Sequence, residues 1–327
     1  MTTPPRLTPS DTLPVASVQM ESRAGDKEAN FEIIEHWTDR AAKSGVRLVV
    51  FPECCVSGYW FLRRLPSEAL AALAERIPDG PSAGRLLELA RRHGIHIGAG
   101  WIEAADDGVF YNSYVVAGPD GHWNRHRKLH AFEHPLIRSG DAIRVFDLPG
   151  GFRAAILICY DCNLVENVRL AALQGADVLI APHQTGGVRS RNPNLMGLVD
   201  RQAWDRRHED PGTIRREFLG DKGRGWLMRW LPSRAHDNGL FLVFSNGVGV
   251  DDDEIRTGNA MILDPYGRIL AETSEAADAM AVATLDRRLL EQATGRLWLR
   301  ARRPELYGPL AVRTGGESDA RTLKFEE

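Results

Sequence analysis

The stretch Ala154-Ala-Ile-Leu-Ile-Cys159-Tyr-Asp161-Cys-Asn-Leu-Val-Glu166 sets the reading of this chain. Five consecutive apolar residues lead to a cysteine, a pattern that predicts a strand buried on both faces, as at the centre of an α/β sheet. From Glu166 to Gln174 apolar residues return at three- and four-residue spacing, which predicts a helix with Gly175 placed to cap it. Cys159 therefore stands between the carboxyl end of a strand and the start of a helix. Ligands of open α/β sheets collect at that end, and a helix N-terminus favours a thiolate. A buried cysteine taken alone is more often an inert small hydrophobe, so its meaning depends on what surrounds it.

The same alternation extends outward. Strands are predicted at residues 15–20, 47–52, 96–104, 110–117, 154–159, 176–181, 240–245, 260–264 and 280–284, and helices at 27–43, 67–76, 83–92 and 166–174. Gly94 sits where a helix cap falls, and Asp264-Pro-Tyr-Gly267 predicts a hairpin turn. The mix of βα units and hairpins predicts an α/β sandwich with mixed sheets. Residues 1–13, dominated by Pro and Thr, read as a disordered leader and not a signal peptide. Residues 313–327 read as a polar tail or an arm laid on a neighbouring subunit. Residues 186–234 break the rhythm: eleven basic residues stand against six acidic ones, and three of the eight tryptophans fall here (Trp204, Trp226 and Trp230). This predicts a surface insertion, read either as a solvated, salt-bridged excursion or as a lid or subunit contact anchored by tryptophan.

Composition narrows the function. The chain has 327 residues and is 43% hydrophobic, enough for a sizeable core. A formal net charge of −3 argues against a basic nucleic-acid binder. No apolar run approaches the ~18 residues of a membrane span. Four cysteines in this length argue against a disulfide-stapled secreted scaffold and for a reducing cytoplasm. Cys159 and Cys162 form a C-x-x-C pair, which raises a thioredoxin-like redox site or half of a zinc site. The chain is far longer than a thioredoxin domain and lacks a Trp-Cys-Gly-Pro-Cys-like context. The adjacent Cys54-Cys55 make a poor second zinc pair.

Two further strand ends carry polar groups. Val49-Val-Phe-Pro-Glu53 closes a buried strand with a carboxylate, and Arg125-His-Arg-Lys128-Leu-His130 follows the turn Gly118-Pro-Asp-Gly121. Alone, the first reads as an exposed loop acid and the second as a solvated basic surface. Taken together, Glu53, Lys128 and Cys159 resemble the Glu-Lys-Cys triad of the nitrilase (carbon–nitrogen hydrolase) superfamily. The likeness runs in family order over residues 14–312. Phe51-Pro-Glu53 with Ser57-Gly-Tyr59 resembles the first family motif. Arg127-Lys128-Leu-His130 with Glu133, Gly140 and Asp141 resembles the lysine motif, and Ile158-Cys159-Tyr-Asp161 with Glu166 and Arg169 the nucleophile motif. Later landmarks follow at Gln174–Pro182, Asn246–Gly249, Gly258–Gly267 and Arg302–Tyr307.

The resemblance implies a single-domain, four-layer α-β-β-α sandwich over residues 14–312 that forms homodimers or larger assemblies. It implies hydrolysis of a small-molecule amide or N-carbamoyl amine through a cysteine thioester, with no metal or other cofactor. Cys159 would be the nucleophile, Glu53 the proton carrier and Lys128 a fixed positive charge beside thiolate and oxyanion. The Tyr160 backbone N–H is the natural second oxyanion donor. Glu133 fits best as the second glutamate the family carries. Tyr59, His130, Tyr160 and Gln184 are candidate substrate contacts. Tyr160-Asp161 stand where nitrile hydrolases of the family typically carry Trp and Glu, which demotes nitriles to an alternative. Cys162 and Asn163 stand where the D-carbamoylase group carries two carboxylate-binding arginines, which argues against carbamoyl-D-amino acids unless the insertion supplies a substitute. Acyl transfer to an amine from the same thioester is the other alternative. The acidic run Asp251-Asp-Asp-Glu254 reads as a solvated turn, or else as an attraction for a cationic amine.

Overall fold

The protein is described by a computed structural model over residues 11–189, 192 and 194–325. Residues 1–10 of the expected leader lie outside the described residues. β1 (Thr12–Met20) leads through α1 (Lys27–Lys43) to β2 (Leu48–Val50); α2 (Ser67–Leu73) and α3 (Pro81–His93) then precede β3 (His96–Ala104) and β4 (Phe110–Ala117). β5 (Trp123–Arg127), β6 (Ile137–Arg138), β7 (Val145–Leu148) and β8 (Phe152–Ile156) follow, then α4 (Val165–Leu173) and β9 (Val178–His183). Next come α5 (Arg201–Asp205), α6 (Pro211–Leu219), α7 (Arg224–Met228) and α8 (Leu231–His236). The chain closes with β10 (Phe241–Asp251), β11 (Glu254–Thr257), β12 (Met261–Leu263), β13 (Ile269–Glu272), β14 (Ala279–Asp286), α9 (Thr294–Arg300) and α10 (Ala320–Phe325).

The strands hydrogen-bond in the order β5-β4-β3-β2-β1-β10-β9-β8-β7, with β14 on β1 and β12 on β10. From β3 to β8 along this path the neighbours are parallel. The period-2 alternation of the central strands sorts their side chains into layers. Val178 and Ile180 of β9, with Phe241 and Val243 of β10, join Val15, Leu48 and Ile156 in a core between the two halves of the sheet. Leu179, Leu242 and Phe244 point the other way, onto Val168 of α4 and Leu231 and Ala235 of α8. Ala16, Val18 and Val49 face Phe31 and Ile34 of α1 and Leu86 of α3. Helices, two sheet layers and helices again make the α-β-β-α sandwich of a single domain. Asp26 caps α1 by accepting from the Ala29 N–H at 3.0 Å, and Gly94 ends α3 in the left-handed region at φ 66°.

Several expectations change. The strand expected at 154–159 stops at Ile156, because Cys159 turns the chain at φ 49°. Thr12 and Leu13 are not leader: they pair with Asp286 and Leu285 of β14. The C-terminal segment folds back on its own chain. Arg321 donates to the carbonyls of Ala131 and Ile137, and Ala320 packs with Tyr59, Trp60 and Phe132. The basic stretch at 125–127 is not merely a solvated surface: it lies in β5, where the exposed Arg125 and half-buried Arg127 meet the buried Glu103 at 2.7 and 2.6 Å. The described residues of 186–234 carry α5, α6, α7 and the start of α8, and they close a small core together with β10 and β11. Trp204 stacks on Phe218, and Ile214, Val248 and Ile255 close around them.

Candidate active site

Three strands that run in the same direction, β2, β5 and β8, deliver chain ends to one side of the sheet. After β2 the chain is pinned at the Phe51 carbonyl, which accepts from Tyr114 Oη at 2.6 Å and Ser245 Oγ at 2.8 Å. Two residues later Glu53 is fully buried, and its own carbonyl accepts from Gln184 Nε2 at 2.8 Å. Lys128 follows β5, also fully buried, with its N–H on the Asn112 carbonyl at 2.8 Å. The Lys128 ammonium lies 2.7 Å from Glu53 Oε1 and contacts Glu133 Oε1 directly. Asn112 Nδ2 bridges the same two carboxylates at 2.8 and 3.1 Å. The Phe132 ring, 4.4 Å from Nζ, closes the cage with a cation–π contact.

Cys159 opens a tight turn, Cys159–Cys162, and holds a positive φ that non-glycine residues rarely adopt. Asp161 keeps that turn in place. Its buried carboxylate accepts from the N–H groups of Ile158 (3.1 Å), Leu129 (3.0 Å) and His130 (3.0 Å), and from His126 Nε2 at 3.2 Å. One carboxylate thus ties the cysteine turn to the loop that carries Lys128. Charged acceptors of several backbone donors are among the stronger hydrogen-bonding devices in proteins.

Charge and burial act against each other here. Burial pushes the Glu53 carboxyl well above its usual range, and the nearby Cys159 thiolate would add to this; Lys128 only partly offsets it. Burial works against the Lys128 ammonium too, but Glu133 and Glu53 outweigh it and hold its pKa well above the ordinary lysine value. Glu53 Oε2 is buried without a hydrogen-bond partner.

A cavity of about 290 Å³ opens over Cys159. Tyr59, Trp60, Phe132, Tyr160, Trp226 and Trp230 supply aromatic walls. A larger groove of about 680 Å³ runs along Thr12–Pro14, Arg47 and Arg287, at the opposite end of β1. Its described lining holds no cysteine and none of the buried ionic cluster.

A family model described as carbon-nitrogen hydrolase matches residues 14–294. The chain belongs to the carbon–nitrogen hydrolase family. A Pyrococcus abyssi protein named nitrilase is 31% identical over 275 residues, covering 83% of this chain and 89% of that one. A Pseudomonas protein named (R)-stereoselective amidase is 31% identical over 258 residues, with 78% of each chain covered. Among solved structures, a mutant of a Nesterenkonia amidase from the nitrilase superfamily aligns with a TM-score of 0.66 at 21% identity, over 91% of this chain and 97% of that one. At that identity the likeness speaks for the fold alone.

Within this hydrolase fold, Glu53, Lys128 and Glu133 form one buried cluster, while Cys159, Tyr59, Tyr160 and Gln184 line the cavity. His130 is not among the lining residues. Its Nε2 is engaged by Asn167 Nδ2 at 3.1 Å and its backbone N–H by Asp161, so it braces the turn from behind. Cys162 is buried, with Sγ on the Leu157 carbonyl at 3.3 Å, and all four cysteines are free thiols. The acidic run is neither a solvated turn nor a free attraction for cations. Arg63 and Arg64 pair with Asp252 and Asp253, and Arg256 lies 2.8 Å from both Asp251 and Glu254.

Sequence reasoning assigned no role to Asn112, His183 or Arg256, and placed Asp161 only as a member of the nucleophile motif. Asn112 had left a signal, being a lone amide in the apolar run of β4. The insertion supplies part of the cavity wall through Val188, Leu195, Met196, Trp226 and Trp230, and α10 supplies Leu323.

Proposed function

We propose that the protein hydrolyses a small-molecule amide or N-carbamoyl amine to an acid and ammonia or an amine, through a thioester on Cys159. The observation that carries this reading is the Lys128 ammonium caged by Glu53 and Glu133 behind the cysteine turn, with one Glu53 oxygen left unpartnered. Ionised Glu53 takes the Cys159 thiol proton, and the thiolate attacks the carbonyl carbon. The resulting oxyanion is held by Lys128 Nζ–H and the Tyr160 N–H. Glu53 passes the proton to the departing nitrogen, the C–N bond breaks, and the thioester remains. Water then gives a proton to Glu53 and its oxygen attacks the thioester. The second oxyanion collapses with loss of the thiolate, which recovers the proton. Glu133 orients Lys128 throughout. A panel of primary amides, N-carbamoyl amines and nitriles, scored by ammonia release, tests the reading. Turnover of at least one of the first two classes is expected, and inertness towards both would defeat it.

The direction of the Glu53 shift sets the pH dependence. The base must be ionised to act, and its pKa is raised, so activity should rise with pH along an acid limb lying above the ordinary carboxylate range. Lys128 stays charged beyond that limb because its pKa is raised as well. A kcat/KM profile that is already flat at the pH of an ordinary glutamate would remove Glu53 as the base.

A homo-oligomer belongs to the same reading. The outer face of α4 exposes Val165, Leu170 and Leu173, and the C-terminal region exposes Leu297, Trp298, Leu310 and Val312. Burial pushes the Arg169 guanidinium of α4 below its ordinary value, and Asp237, Arg302 and Tyr307 lie near enough to act on it, so α4 runs beside the C-terminal region. Sedimentation should give a particle of two or more chains; a single-chain species at micromolar concentration would contradict it. No helix among the described residues is long and apolar enough to cross a membrane. The free thiols fit the reducing cytoplasm proposed from the cysteine count.

A further inference from the structure

Among the described residues of the ionic cluster and the cavity wall, three side chains keep a buried polar atom without a partner: Glu53 Oε2, His183 Nε2 and Arg256 Nη2. The mechanism uses the first. Arg256 already balances Asp251 and Glu254. His183 has no role in the steps above, yet it lines the cavity and is only 2% exposed.

Its position is well defined. β8 and β9 are parallel, with Ile156 opposite Ile180. His183 closes β9, the strand beside the one that leads into the Cys159–Cys162 turn, and Cys159 and His183 line the same cavity. In a cavity of about 290 Å³, a wall residue that shares the pocket with the nucleophile meets the substituents nearest the scissile carbonyl. The imidazole is locked by its neighbours. It packs against Phe244 with ring centroids 4.7 Å apart and against Trp230 at 5.9 Å, and Nδ1 meets Thr185 Oγ1 at 3.3 Å. The opposite nitrogen is the one left over. A buried polar atom without a partner is costly, and one kept beside a nucleophile calls for a ligand to satisfy it.

We infer that His183 Nε2 reads the substrate, by hydrogen-bonding an uncharged polar group, a hydroxyl in the first place, on the carbon next to the scissile carbonyl. This deepens the amide-hydrolase reading and rests on it. Burial drives the ring's pKa down to about 3, so the imidazole is neutral near pH 7. It is too weak a base to compete with Glu53 for the thiol proton, and it offers no charge to a carboxylate. The Thr185 hydroxyl satisfies Nδ1 in either tautomer, leaving Nε2 as donor or acceptor. A substrate hydroxyl matches both, which is why an α-hydroxy amide is the preferred class.

The test separates recognition from turnover. In the Cys159→Ala protein, calorimetric titration compares mandelamide with phenylacetamide, which differ only by the α-hydroxyl and suit the aromatic walls. Mandelamide should bind about tenfold tighter or more, the scale of one buried hydrogen bond left unmade. Adding His183→Phe, which keeps a flat ring between Phe244 and Trp230, should bring the two affinities within about twofold. His183→Gln, whose amide restores a polar terminus, should recover part of the ratio. Equal affinities in the Cys159→Ala protein, no binding of either amide, or a ratio that survives His183→Phe would overturn the inference. The hydrolase reading fails separately, by absence of ammonia release from the wild-type protein.

Discussion

Replacing Cys159 by alanine should abolish amide turnover, with kcat falling by about 10⁴ or more while the fold stays intact. The size of the loss follows from the role. When a covalent nucleophile is removed, only binding and oxyanion stabilisation remain, and these recover little of the rate. The fold should tolerate the change because Cys159 is only partly buried and makes no structural hydrogen bond comparable to that of Cys162. The positive φ of residue 159 comes from the turn held by Asp161, so it should persist in the variant. Ammonia release measured beside a cooperative thermal unfolding curve checks both halves. An alanine variant that turns over at the wild-type rate would remove Cys159 from the chemistry.

Lys128→Met should damage stability and rate together. Methionine approximates the stem but removes the charge that lies between two buried carboxylates. Breaking one partner out of a buried ionic cluster typically costs about 3–5 kcal/mol, because the remaining charge is left uncompensated. Here two acids remain, so at least one should take up a proton. The variant should therefore unfold at clearly lower urea. Loss of the oxyanion donor should lower kcat by about 10²–10³. The acid limb should move to still higher pH, since Glu53 loses the neighbouring positive charge that favours its ionised form while Glu133 and burial continue to oppose it. Full activity with an unmoved limb would show that the ammonium is not part of the reaction.

The chain ends at Glu53 and Cys159 were legible because apolar runs lead straight into them, and such runs mark buried strands in any context. Lys128 was harder, because the basic residues before it hide a strand. β5 reads as a charged surface until its arginines are seen to meet Glu103, which lies in β3, a partner only the sheet supplies. The partners of Asp161 and Asn112 were hidden for the same reason, although the motif around Cys159 and the lone amide in β4 marked their positions. A carboxylate that accepts from three backbone N–H groups of two loops looks, in sequence, like any aspartate after a cysteine. The insertion was expected, but its internal helices escaped because they are short and arginine-rich, and its ordering comes from Trp204 on Phe218 and from β10 and β11 beneath them. The family resemblance carried the layer architecture, whereas which polar atoms stay unpartnered at the cavity was a matter of packing alone.

The thioester on Cys159 is the central claim, and intact-protein mass spectrometry on acid-quenched turnover tests it most directly. During hydrolysis of a primary amide substrate, a fraction of the protein should gain the mass of the acyl group less one hydrogen, and peptide mapping should place that mass on Cys159. The adduct should decay with the same rate constant as product formation in a single-turnover experiment, and it should be missing from the Cys159→Ala protein. Active turnover with no covalent species, or an acyl group mapped to any other residue, would contradict the account.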